Sequence, residues 1–348
     1  MIGIVSAALA AAVAVSPRYE GGNCQAPRWS PDGGALAWEV NYHEQKVIHL
    51  YVSSRGGAAR RFTPPDAGAS RTAGFAGAPD VSAHELSFAP GALGRFVYAA
   101  GSGDFDLRLD SGAALAPSPG ADGGAAWSPD GRHIAFTSAR TGQGDLYLLD
   151  TGAIDAAPRR ISGEERSAEL FPAWSPDGRK LAFVGRTAQG DNLWIIDDVA
   201  FPAPRAITAW PNVSTRPTWS PDGTKIAFFS NHRDAARVDL YVMTVGGTPT
   251  LVAAGVAAGA RGPSWSPDGR HLLYVKDDPQ ALDPVWAAPV ADPTRAAAVA
   301  TDTVGNSDVD VVLKPDGSTW LAVAAIGLTG DAVRDFRRIY VMRLPTLP

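Results

Sequence analysis

Cysteine is almost missing from this chain. Cys24 is the only one in 348 residues, which excludes an intrachain disulfide and any zinc site built on cysteine pairs. Basic runs are missing too: the formal net charge is −5, with six histidines and no cluster of Lys or Arg. Nucleic acids and anionic membranes are captured by basic patches, and the composition supplies none. No stretch shows the 3.6-residue apolar period of an amphipathic helix. No GxSxG occurs, so the nucleophile elbow of an α/β-hydrolase is excluded. Finally, no apolar run is long enough to span a bilayer comfortably.

The longest such run, IGIVSAALAAAVAV, occupies residues 2–15. It reads as the apolar core of an export signal, with Ala12-Val13-Ala14 as a small-x-small cleavage pattern, although no Lys or Arg precedes it. Residues 1–15 are therefore expected to be an export signal and residues 16–348 a single domain, placed in the periplasm or secreted. Hydrophobic residues at 45% and charged residues at 19% suit a globular protein with a sizeable core.

What the chain has in abundance is one pentapeptide. WSPDG begins at Trp29, Trp127, Trp174, Trp219 and Trp265. The steps are 174 − 127 = 47, 219 − 174 = 45 and 265 − 219 = 46. LKPDG at Leu313 continues the series, and FAPGALGRFVY from Phe88 fills the gap between Trp29 and Trp127 as a degraded copy. A period of this size marks propeller blades or another repeat array. Each unit reads as four short strands, and Ser-Pro-Asp-Gly as a tight turn: proline presets φ, aspartate bonds nearby amides and glycine takes the left-handed position. The tryptophan is expected to bury its ring between neighbouring units. Radial repetition would hold the repeated aspartates apart, so they read as architecture rather than as a catalytic cluster. The fold expected is all-β, a seven-bladed β-propeller of four-stranded blades. The C-terminal RIYVMRLP lacks a fourth strand, and an N-terminal strand at Pro17 to Glu20 is expected to complete that last blade and close the ring.

WSPDGRHIAFTSARTGQGDLYLLD (residues 127–150) and its sister repeats resemble the propeller repeats of the TolB family, over residues 17–348. The resemblance implies a propeller of periplasmic location that binds proteins of the cell envelope without covalent chemistry. Two departures stand out: the family carries an α/β domain ahead of its propeller, which nothing here matches, and its propeller has six blades.

Function is expected on the face opposite the WSPDG turns, where loops vary. The candidate ring at the channel mouth comprises Gln25, His43, His84, Glu85, Arg140, Glu169, Arg186, Arg216, His232, Arg261, Asp308 and Asp310. In NSDVDVV, Asp308 and Asp310 alternate on an inner strand near the channel. Arginines such as Arg261 and Arg216 would satisfy them, or a calcium ion held by oxygen ligands. No other cofactor is expected. HEQKVIH at 43–49 is not HExxH, but His43, His84 and His232 could converge on a metal if their loops fold inward. That leaves an alternative: a propeller lyase or hydrolase acting on a polysaccharide or small molecule with a channel metal. The favoured expectation is a non-enzymatic interaction scaffold, monomeric outside its complex. The long insertion at 64–83, with Phe75 as its one large apolar residue, is expected to be a lid or binding segment.

Overall fold

The computed structural model describes residues 12–54, 58–62, 82–91, 95–101, 104–162, 168–278, 280–327 and 336–347. Residues 64–81 of the insertion, Phe75 among them, and the start of the apolar run lie outside them. The described chain is all-β apart from two single-turn 3₁₀ helices, Thr151–Ala153 and Pro293–Arg295.

The strands follow the sequence repeat. β1 is Val13–Ala14. The first unit is β2 (Asn23–Trp29), β3 (Ala35–Tyr42), β4 (Val47–Ser54) and β5 (Arg60–Phe62). The second is β6 (Ser82–Phe88), β7 (Phe96–Gly101) and β8 (Phe105–Leu109), extended by a bridge from Arg108 to Ala114. The third is β9 (Asp122–Trp127), β10 (His133–Ser138), β11 (Asp145–Asp150) and β12 (Arg159–Arg160). The fourth is β13 (Ala168–Trp174), β14 (Leu181–Thr187), β15 (Gly190–Ile196) and β16 (Arg205–Ala206). The fifth is β17 (Asn212–Trp219), β18 (Lys225–Ser230), β19 (Asp239–Thr244) and β20 (Thr250–Ala253). The sixth is β21 (Ser264–Trp265), β22 (His271–Val275), β23 (Val285–Pro289) and β24 (Ala297–Ala298). The seventh is β25 (Thr303–Leu313), β26 (Thr319–Gly327) and β27 (Arg338–Arg343).

Within each unit neighbouring strands pair antiparallel. The fourth and fifth units share one eight-stranded sheet through a short parallel pairing, Gly190 with Asn212 and Asp191 with Val213. The core lies between units. Ala37 and Leu50 of the first pack with Phe88, Phe96 and Tyr98 of the second, and Cys24, Trp38 and Val40 pack with Ala322, Ala324 and Ile339 of the seventh.

The WSPDG turn does the same structural work in each copy. In the third unit Ser128 Oγ donates to Asp130 Oδ1 at 2.6 Å. The same Asp oxygen accepts from Arg132 N at 3.0 Å, and Ser128 Oγ accepts from His133 N at 2.9 Å. Gly131 holds φ +71°, a left-handed position that suits glycine. Those bonds hold the Asp130 and Asp177 carboxyls below the ordinary carboxylate range, Ser128 and Ser175 being the largest causes. The aspartates are thus consumed by the turn. The tryptophans bridge units as well as filling them: Trp174 Nε1 donates to Ala126 O at 3.0 Å, Trp219 Nε1 to Ala173 O at 2.9 Å and Trp265 Nε1 to Thr218 O at 3.3 Å. Each indole reaches the carbonyl just before the previous unit's tryptophan.

The N-terminal strand differs from expectation. Residues 17–20 are not a strand; Val13 and Ala14 pair antiparallel with Val341 and Tyr340 instead. The register is pinned two residues later by Ser16, which is buried. Its Oγ accepts from Ile339 N at 2.9 Å, and its carbonyl accepts from Arg338 Nε at 3.1 Å. The seventh sheet is therefore four-stranded, in the order β1-β27-β26-β25.

Candidate functional site

The inner strands converge on one space. A cavity of about 580 Å³ is lined by β2, β6, β9, β13 and β17 together with residues 260–262. A second, of about 530 Å³, lies toward the WSPDG turns and shares Arg28, Ser87, Trp127, Thr218, Trp219, Arg261 and Gly262 with the first.

A recurrent backbone device presents side chains to this space. Three residues before the repeat tryptophan or its substitute, φ turns positive: Ala26 at 49°, Glu85 at 57°, Gly124 at 60°, Phe171 at 53° and Arg216 at 55°. The pairing register slips at the same place in each of these units. Such β-bulges re-aim a side chain. Holding four non-glycine residues left-handed costs on the order of 1 kcal/mol each or more, a kind of strain that clusters at functional sites.

Of the twelve residues singled out by sequence, four line the larger cavity: Gln25, Glu85, Arg216 and Arg261. Gln25 Nε2 donates to Glu39 Oε2 at 3.0 Å. Glu85 Oε2 accepts from Gly124 N at 2.6 Å. Arg216 lies over the Phe171 ring, 4.5 Å from its centroid, and donates to Ala260 O. Burial pulls its guanidinium down, and Asp308 is the main charge opposing that.

Asp308 and Asp310 stand at the wall as acceptors for neighbouring units. Asp308 Oδ1 accepts from Arg261 N at 3.1 Å and Oδ2 from Ala26 N at 3.4 Å. One carboxylate thus ties the sixth, seventh and first units. Asp310 Oδ2 accepts from Trp29 N at 2.7 Å. Burial pushes the Asp310 carboxyl up, and the charge of Arg261 opposes the rise most. Among the described residues no group of three or more His, Cys, Asp or Glu side chains could hold a metal ion.

The other candidates do not join this site, because local partners claim them. Arg140 donates to Ser138 Oγ, Ala116 O and Asp122 Oδ2, and lies over the Tyr147 ring at 4.8 Å. Glu169 is buried and accepts from Leu146 N at 2.9 Å. Arg186 forms a forked pair with Asp191, Nε to Oδ1 at 3.0 Å and Nη2 to Oδ2 at 3.1 Å. His232 stacks on Trp210 with centroids 3.7 Å apart, and burial lowers its pKa, Asp239 opposing. His43 is exposed on the β3–β4 turn. The side chain of His84 lies outside the described residues. His43 and His232 thus do not approach a shared centre in the larger cavity.

Three cavity residues escaped the sequence reading: Arg28, Glu39 and Phe171. Glu39 is buried, with Oε1 accepting from Glu85 N at 2.8 Å. Arg28 Nη1 donates to Leu86 O at 2.8 Å. Burial, and after it the like charge of Arg261, pulls the Arg28 guanidinium down to about 9, which leaves it cationic at neutral pH. A signal was present. The positions matching Glu39 in sister repeats hold Thr137, Val184, Phe229 and Val275, and those matching Arg28 hold Ala126, Ala173 and Thr218. A charge where sister repeats are small or apolar marks a position the architecture does not require.

Arranged this way, the site can grip a polar segment by charge of both signs and by one aromatic face. The fold has solved counterparts. TolB from Acinetobacter baumannii is similar at 16% identity and a TM-score of 0.50, over 80% of this chain and 63% of that one. This chain therefore spans less than two thirds of that protein's length. The putative TolB from Agrobacterium tumefaciens is similar at 18% identity and a TM-score of 0.48, over 95% of this chain and 92% of that one. At such identities the likeness speaks of fold alone. The family model described as the TolB beta propeller domain matches residues 126–321, more than half of the chain. With its repeated WSPDG turns and four-stranded antiparallel sheets, the chain belongs to the TolB β-propeller family.

Proposed function

We propose that this protein is a non-enzymatic scaffold of the cell envelope, working as a closed seven-bladed propeller that receives a polypeptide segment of a partner at the mouth of its channel. Closure is supported by the bonds of Ser16, the first residue after the apolar run, to Arg338 and Ile339 and by the bonds of Asp308 and Asp310 to the first unit. The observation that carries the binding reading is the cavity itself, where charged and aromatic side chains are presented from strained bulges. A periplasmic or secreted location agrees with the apolar N-terminal run. No helix among the described residues is long and apolar enough to cross a membrane.

The test is site-specific photocrosslinking from Gln25 in native periplasm. An adduct to a second polypeptide is expected, and it should vanish when Arg216 and Arg261 are both reversed to Glu. Stoichiometric metal in the purified protein, lost on replacing His43 or His84, together with no adduct, would overturn the scaffold reading in favour of a propeller enzyme.

A further inference from the structure

Two guanidiniums occupy the waist between the two cavities. Arg28 and Arg261 line both spaces, whereas Arg216 lines only the larger one. Arg28 spends a single donor on Leu86 O. The Arg261 side chain makes no hydrogen bond and no ion pair among the described residues; only its backbone N–H is used, by Asp308. A guanidinium carries a rigid fork of N–H donors, so most of this pair's donors meet no acceptor among the described residues.

The nearby carboxylates do not answer them. Glu39 is occupied by Glu85 N and Gln25 Nε2, Glu85 by Gly124 N, and Asp308 by two backbone N–H groups. Asp310 feels both cations through space, yet its hydrogen bond goes to Trp29 N and it forms no ion pair with either. Two like charges facing one cavity, with spare forked donors, match an anion that offers two oxygens.

We propose that Arg28 and Arg261 form an oxyanion-binding site at the waist of the channel, taking a phosphate or carboxylate group. The source of that oxyanion is a free small anion or an acidic side chain of an inserted polypeptide, and the chemistry of capture is the same. The site does not depend on the scaffold reading, because small-anion binding is measurable in the isolated protein.

The experiment is titration calorimetry and thermal unfolding of the full chain with inorganic phosphate and, separately, N-acetylglutamate amide, against chloride at equal ionic strength. Saturable binding and stabilisation are expected for the wild type. Arg261→Gln should weaken binding about tenfold or more, the loss of one forked, charge-assisted contact. Asp310→Asn should tighten it severalfold by removing a like charge, and Arg186→Gln, already paired with Asp191, should leave it unchanged. Phosphate binding alone assigns a free small anion, and N-acetylglutamate amide binding a carboxylate side chain. Arg28→Gln should behave as Arg261→Gln. If that variant fails to fold, Arg261→Gln still decides, since its side chain makes no hydrogen bond and no ion pair among the described residues. No saturable binding of either probe by the wild type, or unchanged affinity in Arg261→Gln, overturns the proposal.

Discussion

Trp219 and Trp127 occupy the same place in the repeat, yet replacing each by phenylalanine should have unequal consequences. Trp219 Nε1 donates to Ala173 O of the preceding unit at 2.9 Å, and the ring is buried. Phenylalanine there leaves that carbonyl short of a donor, about 1–2 kcal/mol, and gives up roughly 1–1.5 kcal/mol of apolar burial. The expected loss is about 2–3 kcal/mol. Trp127 Nε1 is buried with no hydrogen-bond partner. Trp127 is only half-buried, so phenylalanine forfeits less apolar area there and relieves an unpaired donor worth roughly 1–3 kcal/mol, and no net destabilisation is expected. Urea unfolding of both variants, compared at equal slope, measures the contrast. Equal destabilisation by the two substitutions would refute the view that the indole N–H, rather than the ring alone, ties units together.

Two further outcomes follow from ionisation. Burial pushes the Cys24 thiol up to about 11, so it should resist thiol-disulfide reagents at pH 8 in the folded state and react at once in denaturant; fast labelling of native protein would contradict its burial. The Asp222 carboxyl is held down to about 2, chiefly by Ser220. Because that value lies below the unfolded one, its stabilisation is full above about pH 4 and disappears as the pH falls toward 2. The stability gap between wild type and Asp222→Asn, measured in urea, should therefore shrink on acidification; a gap that holds or widens would count against the turn's hydrogen bonds as its source.

The repeat made most of the fold legible. Proline, aspartate and glycine at fixed offsets specify the same turn whatever surrounds them, so Phe88 and Leu313 could be placed as degraded copies. The candidate site was legible only in part. Arg261, Arg216 and the two aspartates do lie near one another, because alternation on an inner strand points both carboxylates one way. Arg140, Glu169 and Arg186 lie apart from the cavity with local partners, and nothing in a sequence says which backbone amide or aspartate will claim a charged side chain first. The closing strand was placed at Pro17 rather than Val13 for a related reason. Two residues carry no periodicity, and their register is decided by the edge they meet, through Ser16, Ile339 and Arg338.

That two-residue strand also has a mechanical meaning. Any pull on the polypeptide ahead of Val13 arrives at a seam of two paired residues, with Val15 N to Ile339 O at 2.9 Å just behind it. The described units meet through buried cores, such as that of Ala37, Leu50, Phe88 and Phe96, so tension would spend itself here first. The seventh sheet would yield by unlatching one edge while its other three strands keep their pairing, a fuse at the rim of that sheet.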